Sequence, residues 1–193
     1  VTVNFKANPN RYSTDKEPYL GWFGDSYSLI KKGQHEQAFD MLSKKSTDIK
    51  IPLINYQIGS LPYYIWSGLK SGKKEVVSKY FSEMTNEEMK DGFDYQLSLA
   101  GYHGLQADHK AAIEYLKKAS YRIPLIRTRP LFPWYQLVEI CEWLYQDTKV
   151  AGYRDLALEL AKAFQKIWPM HSWAYAVEAK YTSSQQDRTR ALA

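Results

Sequence analysis

The sequence contains a single cysteine and no long apolar run. Cys141 lies within the apolar stretch LVEICEWLY, which predicts a small buried hydrophobe and excludes an internal disulfide or a cysteine-based metal cluster. A membrane span needs about 20 consecutive apolar residues, so we expect no span in this segment and a soluble piece. One cysteine is compatible with the cytoplasm, which is slightly favoured, and also with the periplasm.

The sequence motifs that carry catalysis are also absent. The chain has no phosphate-binding glycine loop, no Gly-x-Ser-x-Gly elbow and no nucleophile with an assignable base. Among its histidines, His103 and His109 straddle a predicted turn beside Asp108. A metal site there would need a third ligand that the pattern does not supply. We therefore expect a chain that is not an enzyme and that holds no metal or cofactor.

Charge does not indicate a partner. The 193 residues carry 26 basic and 21 acidic side chains, a net charge of +5, and are 45% apolar. The lysines are spread as doublets such as Lys31-Lys32 and Lys117-Lys118, which are typical of solvated helix faces. This composition predicts an ordered chain, and it does not favour nucleic acid as the partner.

A change in pattern divides the chain at Pro18. Residues 1–17 are rich in polar turn formers and predict a lead-in segment or the end of a preceding domain. From Pro18 onward, apolar residues recur at spacings of three and four, which predicts one helical domain over residues 18–193. The chain opens on Val1 and closes on RTRALA without a helix stop signal, so we expect a fragment of a longer protein.

The helical region repeats. Each predicted hairpin has two amphipathic helices and a tight turn, with hairpin 1 turning at Gly33, hairpin 2 at Gly72 and hairpin 3 near residues 106–108. The second helix of hairpin 1 places Ala38 between bulky apolar residues, and a small side chain at such a position lets two helices approach closely. Equivalent positions recur at intervals of 34 to 45 residues, at Val77, Ala112, Ala157 and Ala191. Such intervals are typical of helical-hairpin arrays.

These positions resemble tetratricopeptide repeats. Hairpin 3 matches best, with Ala112, Ala119 and Pro124, while hairpin 1 supplies Trp22 and Ser26. The resemblance covers about residues 19–193. It implies an all-α right-handed superhelix, an α-solenoid of about four to five antiparallel helix hairpins with a concave face lined by first helices.

Two hairpins depart from the family pattern. Hairpin 2 has Ile65 and Val77 where small residues are expected, and hairpin 4 is predicted to contain an extended turn over residues 146–155. An ordinary helical bundle with similar-looking hairpins is the alternative to a repeat array.

The candidate binding residues combine arginines with aromatic rings. Residues 120–136 contain three prolines and predict an extended connection, in which arginines beside aromatics could hold a carboxylate or phosphate or stack on bases. The alternative is a linker pinned to the core by apolar residues, with solvated arginines. Rings on first helices pack between helices or anchor a ligand. The candidates are Tyr63, Tyr64, Tyr95, Tyr102, Arg122, Arg127, Arg129, Trp134 and Tyr135.

Together these features predict a non-catalytic module that binds a peptide, a partner protein or another domain of its own chain in a concave groove. A sensory or regulatory domain of a larger signalling or transcription protein would use the same architecture. A nucleic-acid or glycan binder using the Arg127 region and the aromatics is the third interpretation.

Overall fold

Helices account for the regular structure of the described chain, which comprises residues 18–48, 60–85, 87–123 and 131–182 of a computed structural model. No strand occurs in these ranges, so the all-α prediction is confirmed there. The helices fall into two units, one ending at Thr85 and one beginning at Asn86. The predicted lead-in, residues 1–17, and the predicted repeat position Ala191 lie outside the described residues.

The first unit contains two successive helix pairs. Its helices are α1 (Pro18–Lys31), α2 (His35–Asp48), α3 (Leu61–Lys70) and α4 (Lys74–Glu83). Each helix contacts the next one along the chain, and α1 also contacts α3. Helix α3 begins with Pro62 in its first turn and is buried from Leu61 through Gly68, because most of its sequence, LPYYIWSG, is apolar or small.

The second unit repeats this order of contacts. Its helices are α5 (Glu87–Lys90), α6 (Phe93–Leu105), α7 (His109–Arg122), α8 (Phe132–Thr148), α9 (Ala151–Ile167) and α10 (Ser172–Tyr181). Helix α6 contacts both α7 and α8, α7 contacts α8, α8 contacts α9, and α9 contacts α10. The first helix α6 therefore touches both its own partner, α7, and the first helix of the next hairpin, α8.

The first three hairpins have the same turn. In each, the residue two positions after the last residue of the first helix adopts a left-handed conformation: φ is 76° at Gly33, 78° at Gly72 and 66° at Ala107. The next amide then donates to a carbonyl five residues earlier, in the bonds Gln34 N to Leu29 O (2.9 Å), Lys73 N to Gly68 O (2.8 Å) and Asp108 N to His103 O (3.0 Å). This is the Schellman type of helix end. The turns predicted at Gly33, at Gly72 and near residues 106–108 are confirmed.

The predicted small-residue positions are in the interior. Ala38, Val77, Ala112 and Ala157 all have no solvent exposure. The first three follow the left-handed residue by five positions, and their amides close the first turn of the second helix, in the bonds Ala38 N to Gln34 O (3.1 Å), Val77 N to Lys73 O (3.1 Å) and Ala112 N to Asp108 O (3.0 Å). Turn and buried position thus recur together.

The extended turn predicted for hairpin 4 is wrong. Helix α8 continues to Thr148, α9 begins at Ala151, and the chain reverses at Lys149, whose φ is 59°. Thr148 supports this short turn, since its hydroxyl donates to the Leu144 carbonyl at 2.7 Å and accepts from the Val150 amide at 3.3 Å.

Gly152 lies in α9 and serves close packing rather than the turn. A Cβ atom there would lie 2.7 Å from Cδ1 of Ile113, so the absence of a side chain lets Ile113 of α7 approach the α9 backbone.

The connection predicted over residues 120–136 is shorter than expected. Helix α7 continues to Arg122 and α8 begins at Phe132, so both ends of the predicted connection are helical. Pro133 lies in the first turn of α8, where proline breaks no internal hydrogen bond and has a suitable φ. Residues 124–130 lie outside the described chain.

Replacing Ala112 with leucine tests the close packing of hairpin 3. Because Ala112 is fully buried, we expect Ala112→Leu to lower the free energy of unfolding by about 1 to 3 kcal/mol through overpacking. The matched control is Ala176→Leu, at an exposed position in α10, with an expected change within about 0.5 kcal/mol. Urea unfolding followed by tryptophan fluorescence measures both, and equal effects would contradict a tight contact at Ala112.

The shared turn predicts opposite effects of exchanging glycine and alanine. Gly72 has a φ of 78°, and the space that a Cβ atom would occupy there is open, so Gly72→Ala should destabilise the chain by about 1 kcal/mol through backbone strain alone. Ala107→Gly should relieve the same strain at φ 66° and raise stability by up to about 1 kcal/mol. Thermal unfolding tests the pair, and a stabilising Gly72→Ala would contradict the turn geometry.

Candidate functional site

Two of the predicted binding residues lie in an aromatic cluster where α8, α9 and α10 meet. This Phe164 cluster consists of Trp134, Tyr135, Phe164, Trp168 and Trp173. The ring centroids of Trp134 and Phe164 are 5.7 Å apart, those of Phe164 and Trp168 4.7 Å, and those of Tyr135 and Trp173 4.5 Å. Phe164 is fully buried and Trp134 is 8% exposed, whereas Tyr135, Trp168 and Trp173 are half-buried. The cluster therefore combines a dry centre with an accessible edge of amphipathic rings.

A polar contact fixes the edge of the Phe164 cluster. The Tyr135 hydroxyl and Nε2 of His171 are 2.7 Å apart, which ties α8 to the residue that precedes α10. Nδ1 of His171 is buried without a hydrogen-bond partner in the structure. Burial raises the pKa of Tyr135 above its usual value, so the hydroxyl stays protonated at neutral pH and serves as a hydrogen-bonding group.

The predicted rings of the first unit are interior. Tyr63 is 2% exposed and Tyr64 is 7% exposed. Tyr63 packs edge-on against Tyr27 at 5.6 Å, and Tyr64 stacks on Phe39 at 4.7 Å. Burial raises the pKa of Tyr64, and its hydrogen bond with the Ser43 side chain opposes that shift. These tyrosines offer little surface to a ligand, and their binding role stays a prediction.

The other five candidates are two tyrosines of α6 and three arginines, and none of them belongs to the Phe164 cluster. Tyr95 is 6% exposed, whereas Tyr102 is half-buried with its ring edge-on to His103 at 5.6 Å. Arg122 forms an ion pair with Asp91. Arg127 and Arg129 lie outside the described residues. Two of the nine candidates, Trp134 and Tyr135, are brought together by the structure, because the rings of both pack against Phe164.

The histidines considered as metal ligands have other partners. Nδ1 of His103 lies 3.1 Å from the Asp108 carboxylate, and that carboxylate also accepts from the Ala111 amide as the N-cap of α7. Nδ1 of His109 lies 3.0 Å from the Tyr153 hydroxyl. Within the described ranges, no three residues among His, Cys, Asp and Glu are grouped to hold a metal ion.

Cys141 is fully buried, which confirms its prediction as a small core residue. Burial raises the pKa of its thiol well above the usual value. A thiol that stays protonated is a poor nucleophile, so Cys141 contributes to packing rather than to chemistry.

A buried carboxyl group is not predicted by the sequence pattern. Asp94, in the first turn of α6, is 4% exposed, and its Oδ2 has no hydrogen-bond partner in the structure. Burial raises the pKa of Asp94 from 3.8 to about 7, even though a helix N-terminus ordinarily favours the charged form. An acid in a first turn is so common on helix surfaces that its type and spacing carry no signal of burial.

The exposed turn between α9 and α10 is likewise absent from the predicted candidates. Ile167 is 55% exposed and Met170 is 96% exposed. The available signal was the run KIWPMHSW, in which apolar residues flank Pro169, a setting that predicts a turn rather than a core helix.

No family model matches the chain, and comparisons with curated proteins and with solved structures find no match. Among the described residues, no helix combines the length and apolar character required to cross a bilayer.

Asp94 should make stability depend on pH. Its raised pKa means that the folded chain holds the proton more tightly, so stability is lost as pH rises from about 4 towards 7 and the loss is complete above that. Asp94→Asn should remove this dependence and raise stability at pH 8 by on the order of 3 kcal/mol.

Urea unfolding at pH 5 and pH 8 measures the effect. The matched control is Asp40→Asn, at an exposed aspartate of α2, which should leave the difference between the two pH values as in the original chain. The same pH dependence in Asp94→Asn would contradict the role assigned to Asp94.

Proposed function

We propose that the chain is a non-catalytic binding module built as a tetratricopeptide-repeat-like array of about four to five hairpins in a right-handed superhelix. The observation that carries the proposal is the recurrence of one turn, with left-handed residues at 33, 72 and 107 each followed five residues later by a fully buried alanine or valine, namely Ala38, Val77 and Ala112. An ordinary bundle has no need to repeat a local geometry at such regular intervals, whereas a repeat array does.

The order of helix contacts supports the same proposal. First helices contact first helices, α1 with α3 and α6 with α8, and second helices contact the next first helix, α2 with α3 and α7 with α8. Stacked hairpins make contacts of this kind, and stacking lines one face of an array with first helices. That face is the proposed binding groove.

The proposed ligand is an extended peptide or a partner domain, including one from the same parent protein. Tyr102 of α6 and Tyr135 of α8 are half-buried rings on first helices, so each presents part of its ring as apolar surface, and the contact between the Tyr135 hydroxyl and His171 holds that ring in place. Tyrosine side chains of this kind commonly dominate binding energy, because they bury a large area at low conformational cost.

The nucleic-acid alternative draws no support from Arg122, whose guanidinium is paired with Asp91. A regulatory domain of a larger protein would use the same groove. The domains next to it in the parent protein would distinguish that role from peptide binding alone.

Selection from a random peptide library displayed on phage tests the proposal. We expect the chain to enrich peptides that it binds in calorimetry, and Tyr102→Ala and Tyr135→Ala each to weaken that binding by about tenfold or more. The matched control is Tyr121→Ala, at a ring that is 75% exposed near the end of the second helix α7, which should bind as the original chain does.

Circular dichroism of each variant separates lost binding from lost folding. Failure to enrich any peptide, or equal weakening by Tyr121→Ala, would contradict a groove lined by first helices.

A further inference from the structure

The turn between α9 and α10 holds apolar side chains out in solvent. The apolar turn, defined as residues 167–170, contains Ile167 at 55% exposure and Met170 at 96%. Pro169 between them is also exposed, and Trp168 is half-buried. Burial of large apolar side chains is favourable in proportion to their area, so a surface that covered the turn would gain the free energy of burying Ile167 and Met170.

The apolar turn is well anchored. The Trp168 ring packs on Phe164 at 4.7 Å, and its amide donates to the Phe164 carbonyl at 2.9 Å. The Tyr175 hydroxyl donates to the Pro169 carbonyl at 2.9 Å, and the His171 amide donates to the Trp168 carbonyl at 3.1 Å. These contacts hold the apolar turn against the Phe164 cluster on one side and against α10 on the other. Met170 therefore lies on a turn of fixed conformation.

The exposed charged side chains in the sequence around the apolar turn are lysines, and the nearest acid along the chain towards the C-terminus, Glu178, is 5% exposed. No acidic residue occurs from Leu160 to Val177, while Lys162 and Lys166 lie on the last turns of α9. Lys166 is exposed, and Lys162 is 52% exposed with its Nζ 3.8 Å from the Glu178 carboxylate. Because Lys162 is paired with Glu178, Lys166 supplies the positive charge beside the exposed apolar groups, and this combination complements a surface with negative headgroups over hydrocarbon.

We propose that the apolar turn docks the chain peripherally on an anionic lipid surface. Met170 and Ile167 enter the boundary between headgroups and acyl chains, Trp168 lies at headgroup level as tryptophan does in membrane proteins, and Lys166 lies near the lipid phosphates. Binding through a few side chains is reversible. A protein partner or a second copy of the chain would use the same apolar groups, but neither requires an exposed lysine and no exposed carboxylate within residues 160–177. The inference goes beyond the proposed peptide binding and uses different residues.

Vesicle flotation of the whole chain tests the proposal. At low ionic strength, we expect binding to vesicles of equimolar phosphatidylcholine and phosphatidylglycerol, and much weaker binding to phosphatidylcholine alone. Met170→Asp should weaken binding to the anionic vesicles by about tenfold or more, because it removes apolar insertion and adds a charge. Lys166→Gln should weaken it about fivefold, the loss expected for one cation near such a surface.

The matched control is Val76→Asp, which introduces the same charge at a position in α4 that is 48% exposed. It should bind vesicles almost as well as the original chain, and circular dichroism should show all variants folded. Absence of binding to the anionic vesicles, or equal weakening by Val76→Asp and Met170→Asp, would overturn the proposal. So would a dimer that Met170→Asp abolishes in sedimentation when vesicles are not bound, because the occupant would then be a second copy.

Discussion

Close approach of helices at small side chains is the constraint on which the rest of the structure depends. Ala112 has no solvent exposure, and it follows a turn whose geometry directs the second helix back along the first. Gly104 shows the same demand between hairpins, since a Cβ there would lie 2.5 Å from Leu144 of α8. Interiors are packed to high density, so a larger residue at either position would have to displace the side chains packed against it, at a cost in stability.

Aromatic rings fill the space that such packing leaves. Phe164 is fully buried and touches rings contributed by α8, α9 and the start of α10. Aromatic rings prefer edge-to-face or offset contacts, so neighbours can pack around Phe164 from several directions. Some of these neighbours are buried, and others lie at the partly exposed edge of the cluster. That edge carries Tyr135 and Trp173, and the exposed Met170 lies on the turn that Trp168 anchors. The interior packing thereby positions both surfaces for which binding roles are proposed.

Two groups stand out because they oppose the ordinary distribution of polar and apolar residues. Asp94 is an unpaired carboxyl in the interior, and Met170 is an apolar side chain in solvent. Asp94 lowers stability at neutral pH through desolvation of its carboxylate, whereas Met170 gains no free energy of burial in the isolated chain. Departures from the local rules are expected at functional positions, and here both belong to the second unit.

Local pattern was sufficient for the helices, the turns at Gly33 and Gly72 and the buried position of Ala38, because backbone conformation and helical periodicity act over a few residues. It failed at the turn of hairpin 4, where Gly152 resembles a turn residue but instead lets Ile113 of α7 approach. Exposure of each aromatic ring was likewise beyond local pattern, since burial depends on neighbours brought from distant parts of the chain. Contacts between helices that are far apart in sequence decide which residues surround each ring. The spacing of apolar residues along one sequence carries no information about those contacts.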